Sequence, residues 1–187
     1  LQGTALEVKL GTELDTLIDS AVMDAEFSID EGLAVASSTI KRGTAVLNLA
    51  GSMRPRKVAG RKGPTSYVWD DGTSVDASVQ LANANIVDVL QIAGQQQKFP
   101  VTGTVAVDAK VAGTLANLNG DGKISLASGV AYGEPYDSAV VNLAVKGQDF
   151  EASQVALVLH GAKIIGNGGY DMKSKHLHGH IEGNDLV

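Results

Sequence analysis

Apolar and polar residues alternate through most of this chain, most regularly between positions 101 and 113. Val101, Gly103, Val105, Val107, Ala109, Val111 and Gly113 fall on one side of an extended backbone, and Thr102, Thr104, Ala106, Asp108, Lys110 and Ala112 on the other. Side chains alternate faces along a strand, so the pattern predicts a long strand over 101–112 with one apolar and one polar face. Further strands are predicted over 114–118, 122–130, 138–146, 150–159, 162–172 and 175–183. Starts roughly every 12 residues are the rhythm of antiparallel hairpins. Asn119-Gly120-Asp121-Gly122, Lys146-Gly147-Gln148-Asp149 and Gly161 supply the turns. Residues 150–159 fit two phases: Phe150 with Val158 inward, or Val155, Leu157 and Leu159 inward. A bulge reconciles them.

The first half carries the same beat less evenly. Three strands are expected within 17–51, turning at Asp30-Glu31-Gly32 and Lys41-Arg42-Gly43, the third with Ala45, Leu47 and Leu49 on one face. Met53 to Ser66 holds Pro55, Gly60, Gly63 and Pro64 and reads as a loop. Tyr67–Trp69 and Thr73–Leu81 flank Asp70-Asp71-Gly72 as a hairpin. A short helix is expected near 84–94, where Ile86, Val87 and Leu90 recur at helical spacing. Asn85 with Asp88 resembles a capping box, and Gly94 is a C-terminal stop. The chain divides into β structure over 1–82, a helical segment over 83–98 and β structure over 99–187, all one elongated domain. Leu1 falls within an apparent strand without an initiator Met, so the chain is expected to be part of a longer one.

Composition narrows the picture. A hydrophobic share of 44% excludes general disorder, and 4% aromatics with 22 glycines means an apolar face built mainly from Val, Ala, Leu, Ile and Gly. A formal charge of −6 argues against a nucleic-acid partner. No apolar run approaches the length of a membrane-spanning helix. The chain has no cysteine, so disulfides and thiolate metal sites are absent.

Candidate chemistry is sparse. His176, His178 and His180 share one strand face at alternate positions, opposite Leu177 and Ile181. Alternate residues stand about 6.6 Å apart, too far to converge three rings on one metal, and a solvated face is expected. Arg54, Arg56, Lys57, Arg61 and Lys62 concentrate five cations in nine positions, on a solvated loop or against lipid headgroups. Asn119–Gly122 lacks the downstream bidentate Glu of a calcium loop, and Gly166-Asn167-Gly168-Gly169 is followed by no helix, so it is not a dinucleotide fingerprint. No nucleophile or acid/base constellation stands out. The expectation is a non-enzymatic protein with no catalytic residues, no metal and no cofactor.

One succession of short motifs resembles a known family. Asn85-Ile86-Val87-Asp88-Val89-Leu90 leads to Val101-Thr102-Gly103-Thr104, then Val111-Ala112-Gly113-Thr114-Leu115-Ala116. Gly122-Lys123-Ile124-Ser125-Leu126, Gly129-Val130-Ala131-Tyr132-Gly133-Glu134-Pro135-Tyr136-Asp137 and Gly168-Gly169-Tyr170-Asp171 follow. This order is similar to the AsmA-like superfamily, in particular its TamB-type members, over about 83–187. Asn117-Leu118-Asn119 departs from the pattern where a proline is expected. The resemblance implies an all-β, elongated antiparallel meander curled into an open taco-like groove or partial barrel. It also implies a periplasmic, cell-envelope location in a parent anchored in the inner membrane. The cargo would be phospholipid acyl chains moving between inner and outer membranes. An Omp85-class outer-membrane barrel protein is the implied partner.

The apolar positions suit that role. Val105, Val107, Val111, Ile124, Leu126, Val130, Val141, Leu143, Val145, Leu177 and Ile181 are expected to line the groove, with Arg54, Arg56, Lys57, Arg61 and Lys62 as headgroup contacts. A sixteen-carbon tail exposed to water costs about 12 kcal/mol at roughly 0.8 kcal/mol per methylene, so a greasy track without placed polar groups lowers the barrier to transfer. A structural or chaperone module that recruits a client strand at the sheet edge is the alternative, aiding outer-membrane protein assembly.

Overall fold

The computed structural model describes residues 18–59, 65–92, 94–95, 98–147, 149–171 and 173–184. Ten strands form one antiparallel sheet: β1 (Ser20–Ser28), β2 (Gly32–Arg42), β3 (Ala45–Arg54), β6 (Ser74–Asn85), β7 (Thr104–Thr114), β8 (Asn117–Ala131), β9 (Glu134–Gly147), β10 (Asp149–Leu159), β11 (Ala162–Asp171) and β12 (His176–Asn184). They pair in chain order, and β1 and β12 do not pair with each other, so the sheet is an open meander. β4 (Arg56–Val58) and β5 (Ser66–Val68) make a separate two-stranded ribbon between β3 and β6, and α1 (Ile86–Ile92) is a short helix between β6 and β7.

Register turns ten local alternations into one surface. Ala21, Ile40, Leu47, Leu81, Val107, Ile124, Val141, Val155, Gly166 and Ile181 follow one another as cross-strand partners through the whole sheet. Directly opposed residues share a face, so this row runs over the apolar side from edge to edge. Nine strand spacings of about 4.8 Å make it roughly 43 Å long.

No second layer of described residues covers that face, yet it is the drier one. Along β7 Val105 is buried and Val107, Ala109 and Val111 are half-buried, whereas Thr104, Ala106, Asp108, Lys110 and Ala112 are exposed. Ala109 and Ala106 differ only in the side they face. The sheet therefore curls toward its apolar side, and the aliphatic side chains shield one another. Bulges in β2 (between Val35 and Ser38, against both β1 and β3), β6 (Leu81/Ala84) and β10 (Ala152/Gln154) add the local twist that helps the sheet curl. The β10 bulge also settles the two phases of that strand: Phe150 opposes Val145 and Val155 opposes Val141, both on the apolar face.

Several expected boundaries move. Asn119–Gly122 is not a turn; it lies inside β8, with Gly120 opposite Val111 and Gly122 opposite Ala109. A Cβ on Gly120 would lie 2.2 Å from the Lys110 carbonyl oxygen, so glycine is there to let two strands approach. Asp121 and Lys123 oppose Lys110 and Asp108, opposite charges that favour pairing over turning. The turn falls at Leu115–Ala116, whose amides donate to the carbonyls of Thr73 (3.0 Å) and Asp71 (2.9 Å).

Nor do Tyr67–Trp69 and Thr73–Leu81 form a hairpin. β5 pairs with β4, giving the Met53–Ser66 stretch short strands at both ends, and β6 pairs with β3 and β7. Asp70–Thr73 is a tight turn closed by Thr73 N–H to the Asp70 carbonyl (2.8 Å), and Thr73 is fully buried. The helical segment contracts from 83–98 to Ile86–Ile92, because β6 continues to Asn85. Asn85 Oδ1 caps it by accepting from Val87 N–H at 2.9 Å, and Gly94 closes it at a φ of 65°. Asp88 does not complete a capping box; its carboxylate turns to Arg42. The opening residues 1–17 lie outside the described residues, and with them the strand expected at Leu1.

Candidate functional site

The apolar face is the feature that invites a ligand. It is a trough whose floor comes from alternate residues of every strand, so no single loop makes it. Two hollows open along it. One, of about 650 Å³, is bordered by Leu143, Phe150, Val155, Leu157, Ile164 and Tyr170, with β12 as its far wall. The other, of about 270 Å³, lies between β1 and β6 against Met23, Val35, Leu49, Met53 and Val79.

Most of the expected lining positions meet there. Val105, Val107 and Val111 share the face with Ile124 and Leu126 through the β7–β8 register, and with Val141, Leu143 and Val145 through β8–β9. Leu177 and Ile181 carry the face onto the edge strand, where they are 75% and 77% exposed because no described strand lies beyond. Val130 shares the phase but sits at the end of β8, opposite Pro135 and 40% exposed, at the rim and not on the floor. Phe150, Leu157, Ile164 and Tyr170 were not among the expected lining residues. For Phe150 and Leu157 the signal was present in the interrupted alternation of 150–159, but only the bulge puts the two on one side; Ile164 and Tyr170 join them through the β10–β11 register.

The basic cluster does not face the trough as a unit. Arg54 alternates with the trough residue Met53 and therefore projects from the opposite face. With Lys57 it borders a hollow of about 870 Å³ that Glu26, Asp30 and Glu31 also line, so the local charge is mixed. Arg56 is ion-paired to Asp70, its Nε donating to both carboxylate oxygens and its Nη2 to Oδ2. That hydrogen bond to Arg56, then the Gly72 amide, holds the Asp70 carboxyl below its usual range, and the same pairing raises Arg56. Arg61 and Lys62 lie outside the described residues.

The three histidines take the outer face of β12, opposite Asp171, Gly169 and Asn167. The His176 and His178 rings stack at 6.2 Å, and His180 Nε2 is 2.9 Å from Glu182 Oε1. No group of three such side chains among the described residues is placed to share a metal ion.

At one rim of the trough, α1 packs against the end of β6. Arg42 belongs to the trough face of β2, two residues beyond Ile40, and its Nε lies 3.3 Å from Asp88 Oδ2 on α1. This pair fixes the helix on the concave side. Nearby, Ala84 opposes Val105, and each is only 4% exposed.

Comparison of the chain with protein-family models, with curated proteins and with solved structures returns no match.

Proposed function

We propose that this chain is a non-enzymatic segment of a cell-envelope protein whose β-trough conducts phospholipid acyl chains between inner and outer membranes. The observation that carries the reading is the unbroken row from Ala21 to Ile181, aliphatic or glycine at every strand. A pocket that holds one ligand places a few convergent polar groups to fix its orientation. A continuous aliphatic floor instead lets a hydrocarbon chain translate with little change in energy at each step. It also removes much of the roughly 12 kcal/mol that exposure of a sixteen-carbon tail costs in water. The resemblance of the motif order to TamB-type AsmA-like proteins supports the same reading. It extends the proposal to a periplasmic location, an inner-membrane anchor in the parent chain and an Omp85-class barrel partner.

The test is site-specific crosslinking. A photo-reactive residue at Val107, on the floor, is expected to capture co-purified or vesicle-supplied phospholipid, and one at Asp108, on the outer face, is not. Equal capture at the two positions overturns the proposal, as does capture at neither.

A second reading has its own observation. β12 is an edge strand with Leu177 and Ile181 exposed, a suitable template for a client strand in outer-membrane protein assembly. Binding of an alternating apolar/polar peptide, abolished by proline at Ile181 and indifferent to Val107→Asp, distinguishes it.

A further inference from the structure

Two buried side-chain atoms among the described residues lack a hydrogen-bond partner, Ser38 Oγ and Arg42 Nη1. Both belong to β2 and both lie on its trough face: Ser38 opposes Leu49, and Arg42 continues the phase of Ile40. A strict alternation from Leu33 and Val35 would have aimed Ser37 inward. The β2 bulge shifts the phase so that Ser38 and Arg42 point into the trough instead. Buried donors are almost always paired, so two unpaired ones on one face of one strand call for an explanation. Ser38 walls the 270 Å³ hollow, and Arg42 stands about 13 Å farther along the strand, at the rim beneath α1.

We propose that this strip is a docking site for an anionic amphiphile, with the acyl chain in the hollow beside Ser38 and the head at the Arg42 guanidinium. The inference deepens the lipid-trough reading and rests on it. A guanidinium offers five N–H donors in a planar fork, and Asp88 engages only the Nε side. A carboxylate or phosphate head meets the remaining donors, competing with Asp88 and lifting α1 from the rim. The required chemistry is an anionic oxygen head joined to a hydrocarbon chain, whether a fatty acid or a lysophosphatidate.

Equilibrium binding to the intact chain tests this with radiolabelled palmitate and hexadecanol, which differ only in the head. Palmitate is expected to bind at least tenfold more tightly, lysophosphatidate to match it, and millimolar acetate or inorganic phosphate to leave both bound. In Arg42→Met the preference over hexadecanol disappears while hexadecanol affinity stays. Equal affinities in the native chain, a preference that survives Arg42→Met, or displacement by acetate or phosphate alone each overturns the proposal while leaving the trough intact. Binding of none of the amphiphiles overturns both. Should Arg42→Met fail to fold, Asp88→Asn decides: removing the competing carboxylate tightens palmitate several-fold without changing hexadecanol, and unchanged palmitate affinity refutes the site.

Discussion

Tyr136 donates its phenolic hydrogen to the carbonyl oxygen of Thr102, 2.7 Å away, and so fastens the segment entering β7 across the β8–β9 hairpin. The ring is 4% exposed, and Gly103 and Gly129 make room for it: a Cβ on Gly103 would lie 2.5 Å from the hydroxyl. Thr102 returns the connection through its amide to the Val130 carbonyl at 2.8 Å. Tyr136→Phe keeps the ring and leaves the Thr102 carbonyl unpaired. It is expected to cost about 1 kcal/mol in denaturant unfolding, with faster amide exchange at 101–103.

The same phenol sets an alkaline limit. Burial raises its pKa above the ordinary 10.0, so the folded state disfavours the phenolate. The stabilisation is complete below pH 10 and is lost as pH rises through the higher folded value. Stability measured against pH is expected to fall there in the native chain, with a smaller fall in Tyr136→Phe.

Arg56 and Asp70 bind the β4–β5 ribbon to the turn before β6. Since the Asp70 carboxyl is held below its usual 3.8, the pairing is present above that pH and is lost as pH falls through the folded value. Asp70→Asn is expected to speed hydrogen exchange at 56–58 and 66–68 at neutral pH and to leave β7 and β8 unchanged. Exchange accelerating equally in all four strands would show that the ribbon is integral to the sheet.

Gly120 stands where β8 runs closest to Lys110. Gly120→Ala is expected to destabilise by about 1–3 kcal/mol, because its methyl meets backbone that cannot rotate away. Gly133→Ala, where a Cβ meets nothing within 4 Å but φ is 90°, isolates the backbone cost from the steric one. Urea midpoints of the two variants separate these effects.

Leu143 lies mid-trough and half-buried. Leu143→Asp is expected to stop phospholipid transfer between donor and acceptor vesicles while circular dichroism still reports the sheet. Undiminished transfer would place the route elsewhere.

Much of this architecture was legible in one dimension. Val105, Val107 and Val111, or Val141, Leu143 and Val145, advertise their common side at every second residue, and Gly161 marks the compact His160-Gly161 turn, with positive φ at both residues. The Asp70-Asp71-Gly72 stretch misled because a tight turn says nothing about which strands it joins; here it docks on Leu115–Ala116 instead of closing a hairpin. Asn119–Gly122 misled because glycine serves turns and close strand approach alike.

Alternation is a property of neighbours along the chain, so composition and spacing alone determined an all-β protein with amphipathic strands and a greasy side. Which aliphatic residues stand together was decided by pairings between distant segments and by bulges that shift phase at Ser38, Ala84 and Val155. The curl that half-buries the trough, the placement of Arg54 on the outer face and of Arg42 on the inner one, and the two unpaired donors of β2 exist only once ten strands are in register. A one-residue slip reverses the side on which every following residue stands, and no local pattern carries that information.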